Sequence, residues 1–336
     1  MTFARSWLAR DMVSVQRGLP KVTAITLLFA VLVLGGCQQS AELGDPLLPI
    51  GFKESELPDV DLNAYVYAKQ EQPWLLSAKQ FNSGSEVAPD LPPQINVNHI
   101  AMIMGPSLDT FGGIVDFSSE KEASLISQLL QRQDRPPWAN LSGGKFSFVV
   151  GEDEWSQSLK DALTQNRRAH LPQRFPEIWE SVSLLPTKPP GRPVAAGFSR
   201  LDTPILESVA TRAGIELGEL TPALGFVKLS HVAFAVYAEH TLPLIERVDS
   251  AFISESLLGA ILVGRSEYPG FIVSASLSML GSRIGLETIS LGDTDAKYLA
   301  MNDLHVIMKN KGSLILAAVS TDKAAAEALM KSALSR

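Results

Sequence analysis

Apolar residues recur along this chain with two different periods, and the change from one period to the other marks the elements. HIAMIM at 99 to 104 and GGIVDF at 112 to 117 read as strands on either side of a turn at Gly105-Pro106. Ser119 is followed three residues later by Glu122, the spacing of a capping box, and then by Leu125, Ile126, Leu129 and Leu130 at helical spacing. Asp134 to Pro137 end that helix. WANL at 138 to 141 and KFSFVV at 145 to 150 flank Ser142-Gly143-Gly144. Phe146, Phe148 and Val150 alternate there with Lys145 and Ser147, the pattern of a hairpin with one buried face. Asp153 is placed to cap a helix in which Trp155, Leu159, Ala162 and Leu163 share a face.

The C-terminal part uses the same grammar. PVAAGF at 193 to 198 is a strand, Thr203-Pro204 opens a helix to about Gly214, and HVAFAVYA at 231 to 238 is a long buried strand. GAILVG at 259 to 264 and GFIVSASLSML at 270 to 280 read as a further hairpin. TISL at 288 to 291 is a strand, DTDAKYLAM at 293 to 301 a short capped helix, and LHVIM at 304 to 308 a strand. After a turn at Lys309 to Gly312 comes SLILAAV at 313 to 319, and Asp322 caps a last helix ending at Leu334. The whole reads as α+β: antiparallel sheets with helices packed on one face. The stretch that opens at His99 and the one from 288 to 334 both run strand, helix, strand, tight turn, strand, helix, so two similar βαββα-containing halves are a hypothesis that the poorly matched residue identities leave open. The stretch from 171 to 193 holds six prolines and is expected to be largely irregular. The expected order is therefore a first α+β unit over 96–170, a Pro-rich linker over 171–193 and a second α+β unit over 194–336. A turn-rich arm precedes them, in which Tyr65 to Tyr67 and Trp74 to Leu76 are short docking pieces.

Composition narrows the class. With 46% hydrophobic and 19% charged residues over 336 positions, the chain has the apolar content for about two domains. Cys37 is the only cysteine, which excludes an intrachain disulfide and every multi-cysteine metal or redox motif. Residues 1 to 36 hold Arg5, Arg10, Arg17 and Lys21 against Asp11. The remainder therefore carries 29 − 4 = 25 basic and 36 − 1 = 35 acidic residues, a net charge of −10. Such a balance repels phosphate backbones and anionic lipid heads, and so argues against nucleic acid and against a basic membrane patch.

The sole cysteine has a particular setting. Residues 22 to 34, VTAITLLFAVLVL, are thirteen uncharged, mostly apolar residues behind a basic segment that ends in Arg17 and Lys21. That is the layout of a secretory signal, and it is short of the ~20 residues that a permanent helical span requires. Leu34-Gly35-Gly36-Cys37 follows directly and resembles the lipobox of bacterial lipoproteins. The resemblance implies a signal peptide over 1–36, diacylglyceryl transfer to the thiol of Cys37 and cleavage before it; the Gln-, Ser-, Asp-, Glu- and Pro-rich composition that follows reads as a tether and N-terminal arm over 37–95. One acyl chain holds a protein marginally and two or more hold it stably, at ~0.8 kcal/mol per buried methylene. Met12 is an alternative start, and Gln38 assigns no leaflet.

Other chemistry is sparse. The chain contains no phosphate loop ending in Lys-Ser or Lys-Thr, no dinucleotide fingerprint, no zinc helix motif and no nucleophile elbow. Ser142-Gly143-Gly144-Lys145 matches Ser-x-x-Lys, a pairing that needs one helical turn between serine and lysine; a hairpin turn explains all four residues. His99, His170, His231, His240 and His305 lack ligand spacing, and Glu152-Asp153-Glu154 suits a helix N-terminus. The expectation is an exported, lipid-anchored protein facing the periplasm or exterior. It binds or scaffolds and does not catalyse, with no cofactor and no metal; its one assigned partner is the membrane reached through the lipid on Cys37. The alternatives are a solute-binding lipoprotein of a transporter, which 300 mature residues suit but antiparallel hairpins oppose, and a hydrolase whose site carries no motif.

Overall fold

A computed structural model describes residues 57–77, 94–106, 110–131, 137–186, 192–200, 228–238, 257–301 and 304–335. The lipobox, Cys37, most of the arm, the helix expected over 203 to 214 and His240 lie outside them. The described residues form two compact units that divide between Ala169 and His170, and each is mixed α+β around an antiparallel sheet.

The first unit contains β1 (Ala64–Ser77), β2 (Gln94–Met104), β3 (Phe111–Phe117), α1 (Glu120–Gln131), β4 (Trp138–Ser142), β5 (Lys145–Val150) and α2 (Glu154–Thr164). Its strand order is β4-β5-β3-β2-β1. Cross-strand neighbours point to the same side, so the pairs Tyr65↔Ile103, Tyr67↔Ala101, Ala101↔Ile114 and Gly112↔Val149 define one sheet face. Every one of these side chains is nearly or fully buried. Leu159 of α2 lies against this face, close enough that a Cβ on Gly112 would fall 2.7 Å from its Cδ2. The expected capping box forms in a modified way: Glu122 N–H donates to Ser119 Oγ at 3.3 Å, while the Glu122 carboxylate takes Ser119 Oγ–H and both the backbone and side-chain N–H groups of Asn96. The β4–β5 hairpin turns at Gly143, whose φ of +60° is the left-handed region that glycine enters without strain.

The second unit contains α3 (Leu171–Arg174), α4 (Pro176–Val182), β6 (Arg192–Arg200), β7 (Leu229–Ala238), β8 (Leu257–Ser266), α5 (Gly270–Ile284), β9 (Glu287–Ser290), β10 (Asp295–Met301), β11 (Leu304–Lys311), β12 (Leu314–Ser320) and α6 (Lys323–Leu334). The order is β6-β7-β8-β12-β11-β10-β9. The register again sorts the faces. Tyr298 pairs with Ile307 and Ile307 with Ala318, and Lys323 of α6 sits 4.5 Å over the Tyr298 ring, so α6 covers the Ala318 side. Val273 and Leu277 of α5 pack on Ile315, whose side chain points the other way.

Four expectations change here. Helices on one face does not hold for this unit, because α5 and α6 take opposite sides. GFIVSASLSML is a helix and not the second strand of a hairpin. Serines at 274, 276 and 278 alternate with Val273, Ala275, Leu277 and Met279, so a strand period is present in the letters. Small hydroxyl side chains can return hydrogen bonds to the helix backbone, however, as Ser278 Oγ does to Ser274 O at 2.9 Å. DTDAKYLAM is the strand β10 and not a capped helix: Leu291 N–H donates to Thr294 O at 2.8 Å to close the preceding turn, and Ala296 and Tyr298 face inward with Lys297 between them. Finally, residues 171 to 174 and 176 to 182 are helical, with Ile178 and Val182 buried. Pro172 and Pro176 stand in the first turns of α3 and α4, where the missing N–H costs no hydrogen bond, so proline there starts helices that it would otherwise break.

Candidate functional sites

Among the described residues, each unit buries one histidine on the second strand of a three-strand meander, beside a register shift against the third strand. In the first unit the shift lies between Val97 and His99, and His99 then faces Asp116. In the second it lies between Leu229 and His231, and His231 faces Arg265. Both side chains are 2% exposed. The local sequences, Val97-Asn98-His99-Ile100-Ala101 and Leu229-Ser230-His231-Val232-Ala233, share the histidine, the alanine and the polar residue at the shift.

Surroundings differ. His99 Nδ1 lies 3.3 Å from Asp116 Oδ2, which also accepts from Asn98 Nδ2 at 3.3 Å, and Asn98 Oδ1 in turn accepts from Ser118 Oγ at 3.0 Å. The Tyr67 ring flanks the imidazole, with centroids 5.3 Å apart. Burial alone pushes the Asp116 carboxyl up. The hydrogen bond and charge of His99, together with Asn98 and Lys145, outweigh burial and hold it below its ordinary value. The result is a carboxylate that orients a buried ring.

His231 meets hydroxyls. Ser181 Oγ of α4 is 2.9 Å from Nε2, Ser230 Oγ is 3.1 Å from Nδ1, and Ser230 Oγ also donates to Arg265 O at 3.2 Å. Burial pushes the imidazole below its ordinary value; the Glu177 charge and backbone oppose this in part, and the Arg200 charge adds to it. The Arg265 guanidinium is itself ion-paired with Glu180. A serine within hydrogen-bond reach of a histidine is the geometry of an activated nucleophile. Ser181 is fully buried, however, so no substrate carbonyl reaches its oxygen. The pair acts instead as a polar latch holding α4 on the sheet.

The remaining sequence candidates take structural places. Ser142 pairs with Lys145 across the β4–β5 turn, far from the helical geometry that Ser-x-x-Lys chemistry needs. Asp153 caps α2, with Oδ1 accepting from Ser156 N–H at 2.8 Å. His170 stands at the N-terminus of α3, and His305 Nδ1 lies 2.7 Å from Tyr298 OH. Among the described residues no three His, Cys, Asp or Glu side chains converge as a metal site, and no helix is long and apolar enough to cross a membrane.

One surface feature escaped sequence reasoning. On α5, Phe271 is 75% and Met279 54% exposed, with Ala275 exposed between them. The signal was present as two interleaved i, i+4 rows, 273/277 and 271/275/279, masked by the serine alternation.

No family model matches the chain, and no curated protein matches it. Among solved structures, crystal form I of TP0453 is similar at a TM-score of 0.37 and 10% identity, covering 88% of this chain and 99% of that one. Crystal form III of TP0453 gives 0.36 and 10%, covering 85% and 98%.

Proposed function

We propose that the chain is a lipid-anchored extracytoplasmic lipoprotein with a binding or scaffolding role and no catalytic one. The observation that carries this reading is Leu34-Gly35-Gly36-Cys37 at the end of the apolar run, on the sole cysteine. Signal peptidase cleavage leaves Cys37 as the first mature residue, acylated and held in a bacterial membrane, with the two units facing the periplasm or exterior. The non-catalytic part is supported by the use of His99, His231 and Ser181 within their own units, and the binding part by the exposed apolar row on α5. The net charge of −10 after residue 36 speaks against nucleic acid as a partner. We further read the two units as an ancient duplication, supported by the matched histidine, register shift and meander in each.

The test of the anchor is Cys37→Ala. This variant is expected to accumulate as a full-length precursor that incorporates no labelled fatty acid; acyl label on the variant, or normal cleavage of it, sinks the reading.

A further inference from the structure

We infer that α4 is an acid-released cover: when the ring of His231 takes a second proton, residues 176 to 182 let go of the sheet beneath them before the rest of the second unit unfolds. The inference concerns one contact inside that unit and stands apart from the anchor reading.

Strand register brings three basic side chains into one row. Arg200 of β6 pairs with His231 of β7, and His231 pairs with Arg265 of β8. Paired residues on neighbouring strands share a face, and here it is the face under α3 and α4. The Arg200 guanidinium lies 5.8 Å from the Phe175 ring, Arg174 of α3 lies 5.4 Å from the same ring, and Arg265 meets Glu180 of α4. Arginine keeps its charge throughout the physiological range, so the ring in the middle is the member of the row that changes. Its hydroxyl partners are set for the neutral form. Ser230 Oγ–H donates to Arg265 O, which leaves the Ser230 oxygen to accept from Nδ1–H and leaves Nε2 bare toward Ser181 Oγ–H. A proton on Nε2 forces the Ser181 hydroxyl to turn away and places a positive charge between two guanidinium groups. Burial opposes the charged ring most. The Glu177 charge and backbone carbonyl favour it in part, and the Arg200 charge adds to burial, so the imidazole sits below its ordinary value. Glu180 is already engaged by Arg265.

The covered surface is apolar. Ala233 with its partners Phe198 and Val263 comes next along the same face, and these three, like Ile178 and Val182 of α4, are fully buried. Those contacts keep α4 closed at neutral pH, and the polar row sets how often it opens. Opening returns the ring to water, where its ordinary value is 6.5. A closed ring held below that value binds fewer protons than an open one. The open population therefore grows as pH falls through 6.5, by at most about tenfold at pH 5.5.

The test is amide hydrogen exchange on the full chain at pH 7.5 and 5.5, corrected for the intrinsic effect of pH on exchange. In the native protein the amides of 177 to 182 are expected to lose protection about three- to tenfold at pH 5.5, while 271 to 280 of α5, in the same unit, keep theirs. His231→Gln is expected to abolish that loss. His170→Gln, which removes the ring at the start of α3, is expected to leave it unchanged. Ser181→Ala keeps the test decisive if His231→Gln fails to fold: it should lower protection of 177 to 182 about fivefold at pH 7.5 and spare α5. An acid response that persists in His231→Gln or disappears in His170→Gln overturns the inference. So does loosening of α4 and α5 together, in acid or in Ser181→Ala, because the event is then global unfolding.

Discussion

His99 and His231 occupy the same place in two similarly wired meanders, and the two units treat them in opposite ways. The first gives its histidine a carboxylate, Asp116, which is drawn below its ordinary value by the contact. The second gives its histidine two hydroxyls and holds it below its own ordinary value. A strand position that buries a ring in both units thus meets a carboxylate in one and hydroxyls in the other. The backbone irregularity decides where a histidine is accommodated; the neighbouring strand and helix decide which polar groups face it.

The core should outweigh both sites. Phe198, fully buried 6.0 Å from the Phe175 ring, loses about 3–5 kcal/mol on replacement by Ala, read as a lower urea midpoint with an unchanged slope. A loss below about 1 kcal/mol contradicts the packing of β6 described above. Next comes Asp116→Ala, which takes the carboxylate from a buried ring and is expected to cost about 2 kcal/mol, less than a fully buried pair because the carboxyl is 23% exposed. Ser181→Ala should cost about 1 kcal/mol, since a neutral hydrogen bond is lost and no charge is left behind. If Ser181→Ala costs as much as Asp116→Ala, the contrast between the units is wrong.

Acid separates them more sharply. An imidazole held below its ordinary 6.5 binds fewer protons folded than unfolded, so its contribution is complete above that value and fades as pH falls below it. Asp116 likewise contributes fully above its ordinary 3.8, and that contribution fades as pH drops through its lower folded value. Urea midpoints should therefore begin to fall below about pH 6.5 in the native protein. His231→Gln should flatten that first decline, leaving the loss near and below about pH 4 to the Asp116 pair. A decline that is unaltered in His231→Gln assigns the effect to another group. The smallest change expected is Ser278→Ala, within about 0.5 kcal/mol either way, because its back-bond to Ser274 O is exposed and alanine favours helix. A large loss there would mean that the serine alternation is structural.

The sequence was readable where one force acted alone. Alternation in KFSFVV, the Ser119/Glu122 pair and the caps at Asp153 and Asp322 are local signals that tertiary contacts reinforce, and the structure has the hairpin and helices they specify. It misled where two signals overlapped. GFIVSASLSML fits both periods, and only the packing of Val273 and Leu277 on Ile315 decides between them. In DTDAKYLAM the acidic residues resemble a cap, yet pairing with β9 and β11 on both sides wins. The prolines of 171 to 176 were legible as punctuation but not as helix starts. Ser181 was invisible as a partner of His231 because 50 residues separate them.

The last strand in the second unit's order, β9, is four residues long, and three of them, including Glu287, are exposed. A hydrogen-bonding edge this brief and charged gives a neighbouring molecule little to extend. On the proposed anchor, copies held in two dimensions would meet far more often than in free solution, and that stunted strand would be a brake on fibre growth. Lengthening it with uncharged β-branched residues should raise the tendency to polymerise, measured as fibre formation at equal concentration.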